Sequence, residues 1–337
     1  MMQQLGVVVI GVGSMGRRHA ENVRKFPELR LVALVDARLE VARAAAGELG
    51  CERWFAQADD ALALPDCQAA IIATAAGTHA DLVEMAAGFG RDVLCEKPLA
   101  LTVADAERAA AAMERAGRRL QVGFMRRFDP GYAAAQRLIA AGRIGKPLIF
   151  KAISRDRQPG PSQGSGGIFV DSAIHDYDLA RWLMADEVGE VTALATSGVT
   201  LIGGLDTGLV SLRFGGGGLG AAEVFAHAGY GYDIRTEVVG SAGTVRIGSD
   251  MQQPLQLLTA EGSQAAFVGH FLDRFAAAYE LEVRDWARRM LAGEAPAVSA
   301  EDGIRALQIA LAADAAVISG QTVRLPPRVA QPALAGR

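Results

Sequence analysis

A lysine at the end of an apolar segment is the first side chain in this sequence that is placed where it could do chemistry. Lys97 follows the apolar residues 92–95 and precedes Pro98, which restricts the backbone on its far side. If residues 92–95 form a strand of a parallel sheet, Lys97 lies at the edge where such sheets bind their ligands. A charge at this edge is poorly explained by solubility alone, so the position favours a functional role.

Asp171, His175 and Asp178 form a second candidate group, spaced i, i+4 and i+7, so that they project from one face of a continuous helix. An imidazole beside two carboxylates suits a proton-accepting site, because the acids orient the ring and stabilise the imidazolium that forms. Two other interpretations stay open. His and Asp are both metal ligands, and the segment could be a helix start that carries a solvated acidic face.

A glycine-rich sequence near the N-terminus predicts a dinucleotide site. Gly11-Val12-Gly13-Ser14-Met15-Gly16 lies between the apolar residues 5–10 and a segment with helical spacing, which is the strand-turn-helix context that this motif requires. Its glycines permit a tight turn, the close approach of a pyrophosphate and the close packing of helix on strand. Amides at the start of the helix then hold the phosphates.

Asp36 indicates which dinucleotide binds. It follows the second predicted strand, residues 30–35, and lies 20 residues beyond Gly16. Its carboxylate would accept hydrogen bonds from the adenosine ribose hydroxyls and repel a 2′-phosphate, which favours NAD over NADP. Arg38 keeps NADP open as an alternative, because a nearby arginine can accommodate that phosphate.

The elements that must position these residues alternate between strands and helices, which predicts a doubly wound parallel α/β sheet. The predicted strands cover 5–10, 30–35, 69–73, 92–95 and 120–124, and the predicted helices include 39–49, 81–87 and 103–116. Loops at the carboxyl ends of these strands converge, so the predicted cofactor contacts extend to Thr74, His79, Glu96 and Lys97. For His79, a contact near the nicotinamide and a cap of the following helix are equally favoured.

After residue 147 the pattern changes to period-two segments, which predicts a C-terminal α+β domain with a large, mostly antiparallel open sheet. The segments cover 148–154, 191–199, 208–214, 219–225, 233–239 and 244–247, and helical patterns follow at 267–291 and 301–319. We therefore predict an NAD-binding domain over 1–124, a substrate-binding domain over 125–327 and a loose tail over 328–337.

Composition narrows the class of partner. The chain has 337 residues, more than the roughly 250–300 at which single cores usually split, so two domains are expected. A formal charge of −4 gives no basic footprint for nucleic acid or an anionic membrane, and no apolar run approaches the roughly 18 residues of a membrane span. Three scattered cysteines are too few for a disulfide framework or a zinc site. We expect a cytoplasmic protein with no metal and a small-molecule partner.

Three motifs together resemble those of the Gfo/Idh/MocA oxidoreductases: the glycine-rich sequence 11–16, Glu96-Lys97-Pro98 and the Asp171/His175 pair. Residues 123–129 and 229–233 are similar to the inositol 2-dehydrogenase branch of that family, and the resemblance covers nearly the whole chain. It implies an N-terminal Rossmann domain, a cis Lys97–Pro98 peptide and a C-terminal sheet that forms homo-oligomer contacts in a tetramer or dimer. It also implies a catalytic trio that falls on Lys97, Asp171 and His175.

The resemblance implies NAD-dependent oxidation of a secondary hydroxyl of a cyclic polyol, most closely myo-inositol or a related inositol, to the keto-inositol. His175 would accept the hydroxyl proton and Lys97 would stabilise the alkoxide, while Asp171 would orient the imidazole or bind a neighbouring hydroxyl. The alternatives are a dehydrogenase of another sugar or polyol, using NAD or NADP, and a nucleotide-binding regulator that has lost catalysis.

A ring of hydroxyls needs several fixed donors and acceptors in its binding site. The further candidates for this role are Arg127, Asp178 and Tyr232. Arg127 is preferred over Arg126 because the family pattern keeps an arginine directly before the segment that reads Phe128-Asp129-Pro130 here. Tyr232 is explained equally well as an ordinary aromatic residue of a strand.

Overall fold

The first domain is a six-stranded parallel sheet, as the alternation of strands and helices predicts. The structure is a computed structural model that describes residues 4–157, 167–199, 204–248, 256–259, 262–265 and 268–327, so the predicted tail at 328–337 lies outside the described residues. The elements are β1 Leu5–Ile10, α1 Ser14–Lys25, β2 Leu29–Val35, α2 Leu39–Leu49, β3 Trp54–Phe55, α3 Ala58–Leu62, β4 Ala69–Ile72, α4 His79–Gly88, β5 Asp92–Glu96, α5 Val103–Arg115 and β6 Leu120–Gly123.

The strands of this sheet run in the order β3-β2-β1-β4-β5-β6. Every residue of β1, β4 and β5 is buried, because helices cover both faces. This explains why β1, β4 and the residues of β5 between Asp92 and Glu96 are apolar without alternation. The strand order reverses between β1 and β4, and a crevice at their carboxyl ends is where ligands bind in open sheets of this type.

The second domain is built on a seven-stranded mixed sheet. Its elements are α6 Pro130–Ala140, β7 Pro147–Arg155, α7 Gly167–Asp171, α8 Ile174–Met184, β8 Val188–Thr196, β9 Thr207–Phe214, β10 Leu219–Phe225, β11 Asp233–Gly240, β12 Thr244–Ile247, β13 Gln256–Thr259, β14 Gly262–Ala265, α9 Phe271–Arg274, α10 Ala276–Ala292, α11 Ala300–Ser319 and β15 Val323–Arg324. The order is β12-β11-β7-β10-β9-β8-β15, and β13 pairs with β14 as a separate hairpin. Only the pairing of β7 with β10 is parallel among the described strands of the large sheet.

One face of the large sheet is covered by helices and the other is open. Along β9, buried and exposed residues alternate, and helices pack on this sheet through α7 on β9, α8 on β7 and α11 on β8. The open face carries the exposed side chains of Leu194, Leu209 and Leu219. The homo-oligomer expected through this sheet stays a prediction, as does a cytoplasmic location. None of the helices in the described ranges combines the length and apolar character that a membrane crossing requires.

Two helices that the sequence predicts as continuous are divided in the structure. A turn at Ser172 and Ala173 separates α7 from α8, because the amides of both residues bond to the carbonyl of Ile168. The prediction that Asp171 and His175 share the face of one helix is therefore wrong. The second division separates α9 from α10 at Phe275, whose ring is fully buried.

The C-terminal helices pack on the first domain as well as on the second. Val283 and Trp286 of α10 belong to the same apolar core as Val7 and Val9 of β1. In α11, Gly303 lies against the side chain of Val122, where a Cβ atom at 303 would come within 2.9 Å of it. Packing thus crosses the predicted boundary at residue 124, and α11 contacts strands of both sheets, β6 and β8.

Candidate active site at the junction of the two domains

The glycine-rich loop has the geometry of a dinucleotide cradle. Gly11 has a φ of +86°, which favours glycine, and a Cβ atom at Gly16 would lie 1.7 Å from the Gly11 carbonyl oxygen. A Cβ at Gly13 would meet no atom within 4 Å, so this side of the loop is open to a ligand. Ser14 and Met15 begin α1, and no side chain caps its N-terminus, which leaves amides for a pyrophosphate.

Asp36 lies at the end of β2 with its carboxylate oriented by two backbone amides. Val12 N donates to Oδ2 at 3.2 Å and Arg38 N donates to Oδ1 at 3.1 Å. The Arg38 side chain is exposed, with its Nε 3.7 Å from Asp36 Oδ1. The loop therefore holds the acid in place beside the glycine-rich turn, where it can meet the ribose hydroxyls of a dinucleotide.

Replacing Asp36 by Ser should weaken NAD use and relax the discrimination against NADP. Loss of charge-assisted hydrogen bonds to the ribose costs about 1.5–3 kcal/mol, so kcat/KM for NAD should fall by roughly 10- to 100-fold, and kcat/KM for NADP should rise because the repulsive charge is gone. The measurement is the ratio of kcat/KM values for the two coenzymes. The matched control is Asp36→Ser with Arg38→Ala, in which the gain with NADP should disappear; an unchanged ratio in Asp36→Ser would contradict the assignment.

His79 is buried between two carbonyl groups. Its Nδ1 lies 2.7 Å from the oxygen of Pro98 and its Nε2 3.1 Å from the oxygen of Thr74. Burial lowers the pKa of His79, so the ring is neutral and donates to one carbonyl at a time. The ring does not cap α4. The side chain of Thr78, the N-cap residue of this helix, makes no capping hydrogen bond either. His79 ties the loop after β4 to the loop that carries Lys97, and a coenzyme contact stays a prediction for both His79 and Thr74.

Lys97 follows β5 and reaches across to the second domain. The Lys97–Pro98 peptide is cis, which confirms the expectation. Lys97 Nζ donates a hydrogen bond to the backbone oxygen of Asp171 at 2.6 Å. Burial lowers the pKa of Lys97, and the negative charges of Glu96 and Asp171 oppose that shift. Asp171 is exposed, yet the protein atoms around its carboxyl displace enough water to raise its pKa, against the effect of Lys97.

His175 in α8 is buried beside the same lysine. Its ring packs edge-on against Phe124, with the ring centroids 5.7 Å apart. Burial lowers the pKa of His175 well below its usual value, and the positive charges of Arg126 and Lys97 lower it further. Within the described part of the chain, Nδ1 is buried without a hydrogen-bond partner. The structure thus places His175 within the electrostatic influence of Lys97, and these are the two residues that the sequence analysis assigned to proton transfer and alkoxide stabilisation.

Arg126 is a site residue that the sequence prediction passed over in favour of Arg127. Arg126 Nη1 donates to Asp176 Oδ1 at 2.7 Å, and both side chains are buried. The guanidinium also hydrogen-bonds the hydroxyl of Tyr232, a buried residue whose pKa is raised by burial. Its charge acts on both Lys97 and His175. The signal in the sequence was Asp176 directly after the candidate histidine, since a buried acid needs a cationic partner.

Arg127 and Asp178 lie in a separate ion-pair network. Arg127 Nε donates to Asp178 Oδ2 at 2.8 Å, and a second bond joins Nη2 to Oδ1. Asp302, at the start of α11, contacts both Arg127 and Arg181. Burial raises the pKa of Asp302, but these arginines outweigh it and bring the value to about 2. Direct substrate contacts by Arg127 and Asp178 stay a prediction. The hydrogen bonds and ion pairs of this network join the 3₁₀ turn Met125–Phe128 to α8 and α11.

Asp156 is a second residue absent from the sequence prediction. It follows β7, and its charge acts on Lys97 and on Tyr232. Together with Asp171 it makes the surroundings of Lys97 acidic, which stabilises the ammonium form. The available signal was that Asp156 directly follows β7, which ends beside the site. The sequence could not predict where its side chain points, because Asp156 is the first residue of a loop.

Comparisons with known proteins agree with this arrangement. Residues 5–124 match the family model described as "Oxidoreductase family, NAD-binding Rossmann fold", and residues 132–246 match "GFO/IDH/MocA C-terminal domain". The chain is 37% identical over 333 residues to the scyllo-inositol 2-dehydrogenase (NAD(+)) of Bacillus subtilis (strain 168), covering 96% of this chain and 97% of that protein. It is 35% identical to the myo-inositol 2-dehydrogenase of Thermotoga maritima, covering 94% of this chain and 97% of the relative.

A solved structure extends the similarity to the whole fold. The scyllo-inositol dehydrogenase from Lactobacillus casei, with bound cofactor NAD(H) and scyllo-inositol, matches with a TM-score of 0.91 and 28% identity. The match covers 96% of this chain and 99% of that one. Both sheets and the crevice between the domains are therefore included in the similarity.

Proposed function

Because the chain belongs to the Gfo/Idh/MocA family of NAD-dependent oxidoreductases, we propose that it oxidises a secondary hydroxyl of an inositol to the corresponding ketone. The family and the NAD cofactor expected from the sequence are confirmed, as is the combination of a Rossmann domain with a mostly antiparallel sheet domain. The observation that carries the proposal is the position of Lys97 and His175 at the junction of the two domains, where Lys97 Nζ donates to the backbone oxygen of Asp171 at 2.6 Å and His175 is buried against Phe124. Relatives named as inositol dehydrogenases over nearly the full chain support the substrate.

In the proposed mechanism, His175 and Lys97 act on the same hydroxyl. His175 accepts the hydroxyl proton, for which its low pKa keeps the imidazole unprotonated. Lys97, oriented by the Asp171 carbonyl at 2.6 Å, donates a hydrogen bond to the oxygen as negative charge develops on it. The Asp171 carboxylate binds a neighbouring hydroxyl or stabilises the imidazolium. NAD supplies the hydride acceptor when bound in the glycine-rich cradle.

The electrostatic environment supports oxidation of an uncharged substrate. Three cations, Lys97, Arg126 and Arg127, approach the site, but Arg126 and Arg127 are each paired with a buried aspartate. The charge left for the substrate is that of Lys97, which is itself flanked by Asp156 and Asp171. A phosphorylated substrate would need an unpaired guanidinium or several free amides, so a neutral polyol is the better fit.

A panel of substrates and coenzymes tests this proposal. Initial rates of coenzyme reduction should be measured with myo-inositol, scyllo-inositol, D-glucose and D-xylose, each with NAD and with NADP. We expect the highest kcat/KM for an inositol with NAD. A higher value for an aldose would favour a dehydrogenase of another sugar. If neither coenzyme is reduced with any polyol while calorimetry shows that NAD binds, a regulator without catalysis would be favoured instead.

The pH dependence of the reaction follows from the lowered pKa values of His175 and Lys97. In polyol oxidation, kcat/KM should rise as His175 loses its proton and fall as Lys97 loses its proton. Both pKa values are lowered, so the acid limb should lie below the usual imidazole value of about 6.5 and the alkaline limb below the usual lysine value of about 10.4. The measurement is kcat/KM across pH with saturating NAD. An acid limb above the usual imidazole value would contradict the role of His175.

A further inference from the structure

A buried cluster of three polar side chains includes Glu96, the residue directly before Lys97. His19 comes from α1, Glu96 ends β5 and Glu282 lies in the middle of α10. His19 Nε2 is 2.7 Å from Glu96 Oε1, and the nearest side-chain atoms of the three residues all lie within 4.8 Å of one another. His19 and Glu282 have no exposed surface and Glu96 has 8%. Two carboxyl groups therefore share one buried site, in which only Glu96 among the three residues keeps a small exposed surface.

The two carboxyl groups differ in what surrounds their oxygens. Glu96 accepts a hydrogen bond from the backbone amide of Lys97 at 3.3 Å through Oε2 and contacts His19 through Oε1. Within the described ranges, neither oxygen of Glu282 has a hydrogen-bond partner. A buried carboxylate needs donors to stabilise its charge. The Lys97 amide donates to Glu96, and His19 donates to it as well when Nε2 carries the ring proton, so a negative charge is better stabilised at Glu96 than at Glu282.

Repulsion between the two carboxyl groups also favours a charged Glu96 and a protonated Glu282. Burial raises the pKa of Glu282 well above its usual value, and the charge of Glu96 raises it further. Tyr279 of α10 is a further titratable group that packs on the cluster, and its ring meets His19 edge-on with centroids 6.0 Å apart. Burial raises the pKa of Tyr279 as well, so its hydroxyl is neutral. Lys97 is the cation next to Glu96.

The contact between His19 and Glu96 has the length of a hydrogen bond and not the spacing of two ligands of one zinc ion. Imidazole and carboxylate ligands bind zinc at about 2.0–2.2 Å, which at a tetrahedral angle places the two ligand atoms roughly 3.3 Å apart. The observed separation of 2.7 Å is that of a hydrogen bond. The cluster is thus arranged to share hydrogen bonds and a proton.

We propose that the cluster holds a single negative charge, on Glu96, while Glu282 stores a proton, and that the Glu96 charge keeps Lys97 in its ammonium form. Glu96 is then a positioning residue for Lys97, oriented by His19 from the coenzyme-binding helix. Glu282, in α10, is the uncharged member of the pair of acids. The effect on catalysis rests on the proposed role of Lys97, whereas the two charge states do not.

Infrared spectroscopy tests the stored proton directly. A protonated carboxyl group has a carbonyl band that is separate from the bands of carboxylates. In the difference spectrum between the unmodified protein and Glu282→Gln at neutral pH, we expect one protonated-carboxyl band to be lost and no carboxylate band to change by a comparable amount. Loss of a carboxylate band instead would overturn the proposal. Glu282→Gln keeps the size and polarity of the neutral acid, so it should fold.

The two matched glutamine variants test the charge that acts on Lys97. The titration of Lys97 should be followed by the pH dependence of its acylation, measured by peptide mass spectrometry, and by the alkaline limb of kcat. Glu96→Gln should move both to lower pH by about one unit, because the nearby negative charge is lost. Glu282→Gln should leave both within about 0.3 unit of the parent protein, a difference of less than 0.5 kcal/mol.

The acylation readout separates this inference from the proposed function. If Lys97 has no catalytic role, the limb of kcat will not move, but the acylation profile will still shift in Glu96→Gln alone. Equal shifts in both variants would mean that both acids are charged, which would overturn the proposal. Stoichiometric metal in the purified protein, released by chelator and absent from Glu282→Gln, would overturn it as well.

Discussion

His175→Ala should lower kcat for polyol oxidation by about 10²- to 10⁴-fold, because the group that accepts the hydroxyl proton is lost. Lys97→Met should lower kcat by a similar factor of about 10²–10³, because a charge-assisted donor to the developing alkoxide is removed. Both are measured as single-turnover or steady-state rates with saturating NAD and substrate. The double variant should lose less than the product of the two effects, since both residues act on one hydroxyl.

Two controls separate catalysis from folding in these variants. Lys151→Met removes an exposed lysine that pairs with Glu237 on the open face of the sheet and should leave kcat unchanged. The dissociation constant for NAD should stay within a few-fold of the parent value in His175→Ala, because the glycine-rich loop is untouched. Near-parent turnover in either catalytic variant, with an unchanged melting temperature, would rule out the assigned roles.

Sequence patterns predicted the first sheet and its ligand-bearing edge because both depend on local rules. Apolar runs in β1, β4 and β5 indicate strands that are buried on both faces. The glycines of the cradle indicate backbone geometry and close approaches that other residues do not allow. Lys97 could be chosen because a residue just past a parallel strand has only one edge on which to lie. These inferences needed no knowledge of the second domain.

Side-chain direction in short irregular segments was not predictable in the same way. Arg126 and Arg127 are adjacent in the 3₁₀ turn Met125–Phe128, and only the packed second domain decides that the first meets Asp176 and the second Asp178. The break between α7 and α8 is likewise hidden, because Ser172 and Ala173 are compatible with a continuous helix. Glu282 looks like a surface charge in a helical pattern, and its burial depends on α10 packing against α1.

Asp178→Ala should destabilise the protein more than it impairs substrate binding. The carboxylate is buried and pairs with Arg127, so removing it leaves the guanidinium with Asp302 as its one acidic partner among the described residues. Breaking a buried pair in this way costs about 3–5 kcal/mol of unfolding free energy. The measurement is the free energy of unfolding in urea together with KM for the polyol. A much higher KM with unchanged stability would favour the direct substrate contact predicted from the sequence.

The double variant Arg127→Met with Asp178→Leu decides between these two roles. If the pair is mainly structural, replacing both charges by apolar side chains should recover much of the lost stability, because no unpaired charge is left buried. The Met side chain can also retain the packing of Arg127 over the Trp182 ring, whose centroid is 5.6 Å from the guanidinium carbon. If Arg127 or Asp178 binds a substrate hydroxyl, stability recovers but KM remains high. The pair of readouts thus assigns the network to the scaffold or to the substrate pocket, whichever role dominates.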